Sequence, residues 1–206
     1  MAGLLRRERL QAPGFSIVEM VIVLAIVLIL HLTAAGSLSA RHRDRSRAAC
    51  IDHLHWIQGF LSAYAADHDG QFPAPPGARC AADALSELVP TYTTEVRFFR
   101  CPGRKTGRLR DGESISGRSI GYAYVAGLNL RSSADAVIAL DDPGIPLPPA
   151  AGAAIFAGAK GQPGSNHPGL GGNVLLVDGR VESWGTGAQG PLIAPGGGRF
   201  LAAHSH

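Results

Sequence analysis

The chain has 206 residues, which suits one globular domain of ordinary size together with an N-terminal segment of a different kind. Its 27 glycines and 14 prolines are concentrated after residue 70, and this composition favours a loop-rich second half over a helical bundle. The formal net charge of +3 is carried mostly by residues 1–14, so the rest of the chain is nearly neutral, which argues against a general nucleic-acid binder.

The N-terminal segment joins a basic leader to a long apolar stretch. Residues 15–32 read FSIVEMVIVLAIVLILHL, and only Ser16, Glu19 and His31 interrupt the apolar pattern. As a helix this stretch is roughly 27 Å long, close to the thickness of the hydrocarbon core of a bilayer. The arginines of the leader favour a cytoplasmic N-terminus. We therefore predict a transmembrane helix half over residues 15–35 and export of everything that follows.

A cleaved secretory signal is the alternative for the same stretch, because Ala34, Ala35 and Gly36 offer a small-residue cleavage site. The length of the apolar stretch and the position of Glu19 within it count against this alternative. A carboxylate inside a membrane segment costs about 2–3 kcal/mol, and such a residue usually serves a function and has a partner.

The sequence Gly14-Phe15-Ser16-Ile17-Val18-Glu19 resembles the processing motif of type IV prepilins and type II secretion pseudopilins. The resemblance implies that a prepilin peptidase cuts after Gly14 and methylates the new amine of Phe15, so that residues 1–14 are a leader. Glu19 then occupies the position of the family's glutamate. There its carboxylate neutralises the lipid-buried amine of a neighbouring subunit during filament assembly.

The helical pattern continues beyond the apolar stretch. Apolar side chains recur on one stripe, and the Gly and Pro residues of DHDGQFPAPPG end the pattern near residues 67–70. The stripe consists of Cys50, Leu54, Ile57, Leu61 and Tyr64. We predict one helix over residues 16–66. Together with the resemblance, this indicates an α+β, pilin-like fold, in which the amphipathic half of the helix packs on a small antiparallel β-sheet head.

Four arginines lie where the two halves of this helix meet: Arg41, Arg43, Arg45 and Arg47, with Asp44 among them. At helical spacing they spread around the cylinder instead of forming one face. Three interpretations stay open: a solvated stretch that meets anionic lipid headgroups, an ion pair in a filament lattice, and a contact with DNA.

The head is assigned to residues 36–184. A short helix is predicted over 81–88 and strands over 119–125, 136–140, 172–177 and 180–184, with Asp178-Gly179 as the turn of a hairpin. The run from His167 to Asp178-Gly179, together with Cys50 and Phe99-Arg100-Cys101-Pro102, is similar to pseudopilin-like proteins with a C-terminal His-to-Asp-Gly motif. His167, Asp178 and Gly179 are accordingly interpreted as a structural turn motif, with His167 bonded to backbone or to Asp178. Residues 185–206 are predicted to be a disordered or loosely attached Gly/Pro-rich tail.

The three cysteines, Cys50, Cys80 and Cys101, allow one intramolecular disulfide at most. In an exported domain, a Cys80–Cys101 bridge and buried free thiols are both compatible with the sequence.

Two further sites are weighed in the head. Asp141-Asp142-Pro143-Gly144 offers two carboxylates for Ca²⁺, or else an Asp-capped turn without an ion. Ser165, His167 and Asp178 suggest a catalytic triad, but no nucleophile elbow surrounds Ser165. We therefore predict no enzyme, no catalytic residue, and no cofactor apart from the calcium candidate.

The sequence thus predicts a structural subunit, a pseudopilin or minor pilin, of a type II secretion-like or type IV pilus-like filament. The expected location is the inner membrane, with a single span, a cytoplasmic N-terminus and a periplasmic head. The expected partners are prepilin peptidase, other pilin or pseudopilin subunits, the inner-membrane assembly platform and the lipid bilayer. Neither a small-molecule substrate nor a nucleic-acid partner is expected. The alternative is a filament-associated module that binds DNA or secreted cargo through loop 103–118 or Arg41–Arg47.

Overall fold

The structure, a computed structural model, describes residues 16–103, 109–144, 154–156, 166–167, 169–187 and 198–203, with the side chains of residues 34–40 outside this set. Two compact units are formed by residues 1–42 and 43–206.

The predicted long helix is confirmed as α1, Ile17–Asp67. Its end is set by backbone geometry in the DHDG sequence. Asp69 and Gly70 take positive φ angles of 53° and 81°, and the amide of Gly70 donates to the carbonyl of Ala65 at 2.8 Å. Such left-handed residues turn the chain out of a helix and satisfy its last carbonyls.

In the first unit, the described part of α1 exposes apolar side chains around its whole circumference. Ile17 is 84% exposed, Val27 43% and Leu32 68%. Within the part of the chain that is described, no helix combines the length and the apolar character needed to cross a bilayer. Phe15 and residues 34–35 of the predicted span lie outside the described side chains, so that span stays a prediction.

In the second unit, α1 buries the predicted apolar stripe. Cys50, Leu54, Ile57 and Leu61 are fully buried, whereas Tyr64 at the end of the stripe is half-buried. The stripe belongs to one hydrophobic cluster with side chains of the sheet, such as Tyr122 and Leu175. The helix therefore folds together with the sheet in this unit, as the periodicity predicted.

The predicted antiparallel sheet is confirmed. Its five strands are ordered β4-β3-β2-β1-β5, and every neighbouring pair is antiparallel. The bounds are β1 Tyr122–Ala126, β2 Val137–Asp141, β3 Gly172–Leu176, β4 Val181–Trp184 and β5 Arg199–Leu201. The segment predicted as one short helix is α2, Ala81–Leu85, followed by a 3₁₀ turn at Ser86–Leu88, and a second 3₁₀ turn spans Val96–Phe99.

The three central strands of the sheet are buried on both faces. Tyr122, Tyr124 and Leu175 belong to the α1 cluster, while Val174 and Leu176 pack in a second cluster with Ile155 and Phe156. Alternate residues of a strand point to opposite faces, which explains this division along β3. The predicted hairpin is confirmed as β3–β4, with Gly179 in its turn at a φ of 89°.

The prediction for the C-terminal tail was wrong at its end. Residues 199–201 form the edge strand β5 against β1, and Leu201 and Ala203 are buried. The amide of Ala81 also donates to the carbonyl of Ala202 at 2.7 Å. A three-residue strand between Gly-rich and terminal residues has no periodicity to detect, and its pairing depends on a strand far away in sequence.

Candidate functional site

A cluster of four chemically reactive side chains lies inside the head, where α1 meets the sheet. Cys50 belongs to the buried face of α1, and Cys101 follows the second 3₁₀ turn. Asp141 ends β2, and His167 lies in the segment before β3, where it forms a bridge with Gly171. All four residues are buried.

The ligand atoms of these residues, one from each side chain, lie within 4.8 Å of one another. The sulfurs of Cys50 and Cys101 are 2.7 Å apart. His167 Nε2 is 3.4 Å from Cys101 Sγ and 3.6 Å from Asp141 Oδ2. Four elements that are distant in sequence thus point two sulfurs, one imidazole nitrogen and one carboxylate at a common point.

Hydrogen bonds fix the cluster from outside. Asp141 Oδ2 accepts from the backbone amide and the Nδ2 of Asn173, at 2.8 and 2.9 Å. Asp141 Oδ1 accepts from Asn166 Nδ2 at 3.4 Å, and the amide of Gly103 donates to Cys101 Sγ at 3.3 Å. These neighbours orient the carboxylate and one sulfur independently of each other.

The ionisation of the cluster is strongly perturbed. The hydrogen bond from Cys50, followed by the contact with His167, lowers the pKa of Cys101 to about 5 in spite of burial. The same bond and burial raise the pKa of Cys50, and burial raises the pKa of Asp141 to about 7. For His167, burial opposes the charge, but Cys101 and Asp141 raise its pKa overall. The cluster therefore holds two thiols and one carboxyl, all of which can lose a proton, in the buried interior of the head.

Two glycines allow the backbone to approach the cluster closely. A Cβ at Gly121 would lie 2.3 Å from the amide nitrogen of Cys101, and a Cβ at Gly103 would lie 3.0 Å from the ring of His167. Gly121 also links the surrounding segments, because its amide donates to Phe99 and its carbonyl accepts from Asp142 and Asn166. No other residue type fits at Gly121 without displacing Cys101.

Polar groups without partners surround the cluster. The Oδ1 of Asn166 and the Nε of Arg47 are buried and find no hydrogen-bond partner among the described residues. The charges of Cys50 and Asp141 add to burial in raising the pKa of Tyr122, which places its hydroxyl in the same environment. Buried polar groups are nearly always satisfied, so unpaired ones beside four convergent side chains need an explanation.

The geometry does not favour catalysis. A Cys-His-Asp triad uses both nitrogens of the imidazole, one toward the nucleophile and one toward the carboxylate. Here the same nitrogen, Nε2, faces both Cys101 and Asp141. All four side chains are also closed off from solvent, and a surface cleft of about 730 Å³ near Tyr64 and His68 includes none of them.

The structure brings together some of the residues that the sequence singled out and separates others. Cys101 lies beside Cys50, whereas Cys80 caps α2, and no disulfide joins any of the three. His167 faces Cys101 and Asp141, while the exposed Asp178 is bonded to Arg180 in the hairpin turn. Of the two partners expected for His167, backbone or Asp178, the Asp178 bond is not formed, because the imidazole faces Cys101 and Asp141.

The calcium candidates do not share an environment. Asp141 belongs to the cluster, and Asp142 Oδ1 accepts from the amide of Gly144 at 3.0 Å, as in the Asp-capped turn that was the alternative. Glu19 is exposed in the first turn of α1. Gly14, Phe15 and Ser165 lie outside the described residues.

Sequence reasoning named all four cluster residues for separate reasons but missed their association. No short spacing connects them, since Cys50, Cys101, Asp141 and His167 are each tens of residues apart. The sequence offered only an indirect indication: each of the four residues lies in or next to a predicted helix or strand with apolar residues. Such residues are expected near one another only when the order of the strands is known.

Comparison with known proteins shows a similarity over part of the chain. No protein-family model matches the chain, and no solved structure matches it. The chain is similar to the ComG operon protein 3 homolog of Bacillus licheniformis, with 28% identity over 60 residues. The match covers 29% of this chain and 62% of that protein, so the chain spans less than two thirds of its relative's length.

Proposed function

We propose that this protein is a pilin-like filament subunit, a pseudopilin or minor pilin that α1 anchors in the inner membrane until assembly. The observation that carries the proposal is the first part of α1, an uninterrupted helix that exposes apolar side chains on all sides and has a carboxylate, Glu19, in its first turn. A helix that is apolar all round requires a non-aqueous surrounding. The similarity to the ComG operon protein 3 homolog supports the same class.

In this proposal, prepilin peptidase cleaves after Gly14, and the methylated amine of Phe15 meets Glu19 of a neighbouring subunit. The pairing makes docking of the subunits specific, because an unpaired carboxylate and an unpaired amine in lipid are each energetically unfavourable. The head lies in the periplasm and forms the surface of the filament. A DNA- or cargo-binding module finds no support in the comparisons, and Arg47 of the basic run belongs partly to the interior of the head.

The test replaces Glu19 with alanine and uses Glu87→Ala as the matched control, since Glu87 is an exposed carboxylate elsewhere in the chain. Cells that express each variant are separated into membrane and sheared-filament fractions. We expect Glu19→Ala to remain in the membrane fraction and to be lost from filaments, and Glu87→Ala to appear in both fractions. Mass spectrometry of the mature chain is expected to find methylated Phe15 at its start.

Two results would contradict the proposal. One is incorporation of Glu19→Ala into filaments at the level of the unaltered protein. The other is a mature chain that keeps its leader or begins near Ser37, since neither form presents the amine of Phe15.

A further inference from the structure

We infer that Cys50, Cys101, Asp141 and His167 bind a single zinc ion that fastens α1 to the sheet of the head. The inference concerns the head only and is independent of filament assembly. It assigns to the cluster a structural role, with the four side chains as a closed set of ligands.

The types of ligand select the metal. Two cysteine sulfurs, one imidazole nitrogen and one carboxylate oxygen are the donors that proteins offer to zinc, usually in four-coordinate tetrahedral sites. Calcium requires six to eight oxygen ligands, and the cluster supplies at most two, from Asp141. With four protein ligands there is no open position for a substrate, which is the pattern of structural and not of catalytic zinc.

Two of the distances already fit a tetrahedral ion, and the other ligand atoms, which all lie within 4.8 Å of one another, must adjust around it. With metal–ligand bonds of about 2.0–2.3 Å, ligand atoms around zinc lie roughly 3.3–3.8 Å apart. The separations of His167 Nε2 from Cys101 Sγ and from Asp141 Oδ2, 3.4 and 3.6 Å, fall within that range. The two sulfurs, 2.7 Å apart, must separate by about 1 Å when the ion enters.

The residues around the four proposed ligands hydrogen-bond to them, as residues around the ligands of a metal site do. Both the backbone and the side chain of Asn173 hold Asp141 Oδ2, and the Gly103 amide holds Cys101 Sγ. Partners of this kind orient ligands before the ion binds. Two thiolates, a carboxylate and a neutral imidazole around Zn²⁺ leave one net negative charge. Arg47, with its unpaired Nε one turn before Cys50 on α1, is placed to balance it.

The ion would connect four elements that lie far apart in the sequence. Its ligands come from α1, the segment after the second 3₁₀ turn, the end of β2 and the segment before β3. An ion bound only by the folded state adds its binding free energy to the stability of the fold. For a Gly-rich head of modest size, such a crosslink substitutes for a larger apolar core.

The test uses the full-length protein, purified in detergent without chelator or reductant. Its zinc content is measured by plasma mass spectrometry, and its thiols are counted after denaturation in a chelator. We expect one zinc ion per chain and three titratable thiols, and we expect Co²⁺ to replace zinc with the absorption of a tetrahedral, thiolate-bound ion.

Cysteine variants locate the ion. Cys50→Ser and Cys101→Ser are expected to lose the zinc, whereas the matched control Cys80→Ser, which alters a buried cysteine outside the cluster, keeps it. Asn173→Ala, which leaves all four ligands in place, is expected to weaken zinc binding by roughly 10–100-fold.

The zinc content and the thiol count of the unaltered protein test the zinc assignment even if a variant fails to fold. A metal-free protein with one titratable thiol would mean that Cys50 and Cys101 form a disulfide, and the zinc assignment would be wrong. Three free thiols without zinc, even after dialysis against Zn²⁺, would overturn it equally. Loss of zinc in Cys80→Ser would show that the ion lies elsewhere.

Discussion

The two halves of α1 are equally helical but meet different surroundings. From Ile17 to Leu32 the apolar side chains are exposed on every side, with Leu24 63% and Leu30 60% exposed. From Cys50 to Ala65 one stripe of apolar residues is completely buried in the head, whereas Trp56, on another side of the helix, is 55% exposed. One helix thus combines a segment whose described apolar side chains are exposed with a segment whose apolar stripe is buried. The first depends on an external partner for burial, whereas the second contributes to the stability of the fold.

The largest expected effect is a difference in the free energy of unfolding between substitutions in the two halves of α1. Leu54→Ala should destabilise the head by about 2–5 kcal/mol, because it leaves a cavity in a fully buried cluster. The matched change Leu28→Ala, at a residue that is 60% exposed, should shift the free energy of unfolding by less than about 0.5 kcal/mol. Urea unfolding in detergent, followed by the fluorescence of Trp56 and Trp184, measures both. Equal losses for the two variants would contradict the division of the helix.

The second prediction concerns how closely the backbone is packed in the head. Gly121→Ala should destabilise the head by about 1–3 kcal/mol, since the added Cβ would lie 2.3 Å from the amide nitrogen of Cys101. Gly59→Ala is the matched control: nothing lies within 4 Å of its Cβ, and it is inside α1. This control should stabilise the protein by about 0.5–1 kcal/mol through helix propensity.

The same urea experiment serves for both glycine variants. A Gly121→Ala protein as stable as the unaltered chain would mean that the segments around Cys101 are loosely packed. That result would also weaken the case for a preorganised ligand cluster, because the position of Cys101 depends on this close approach.

The smallest effect is the pH dependence of the head at acid pH. Asp83 accepts hydrogen bonds from the amide of Arg79 and from the hydroxyl of Ser116, at 2.9 and 2.8 Å. The first of these, assisted by the second, lowers the pKa of Asp83 to about 2. Because the folded-state pKa is lowered, the stabilisation is fully present above the ordinary value of 3.8 and is lost as the pH falls through about 2.

Asp83→Asn should therefore be less stable than the unaltered protein at neutral pH, by about 1 kcal/mol or less, because the carboxyl is partly exposed to solvent. The difference should shrink as the pH falls from about 4 to about 2. Thermal unfolding at a series of pH values measures it. A difference that does not change with pH would mean that the charge of Asp83 contributes nothing to the stability of the head.

Some of this architecture is encoded locally and was predictable. The 3.6-residue periodicity from Cys50 to Leu61 specified both a helix and its buried face. Asp178-Gly179 specified the β3–β4 hairpin, because a glycine at positive φ is what such a turn requires. The class of protein that we propose was indicated by the resemblance of residues 14–19 to a prepilin processing motif, and the apolar stretch with Glu19 indicated only a helix that needs a partner.

The candidate zinc site and the edge strand β5 were not predictable from local sequence, because both are formed only by the tertiary structure. Cys50, Cys101, Asp141 and His167 meet because β2 and β3 are neighbours in the sheet and α1 packs on one of its faces. Arg199–Leu201 becomes a strand because β1 offers it an unpaired edge. Local preferences act over a few residues, whereas these contacts join segments tens of residues apart. Their formation depends on the burial of the whole core, which no short stretch of sequence encodes.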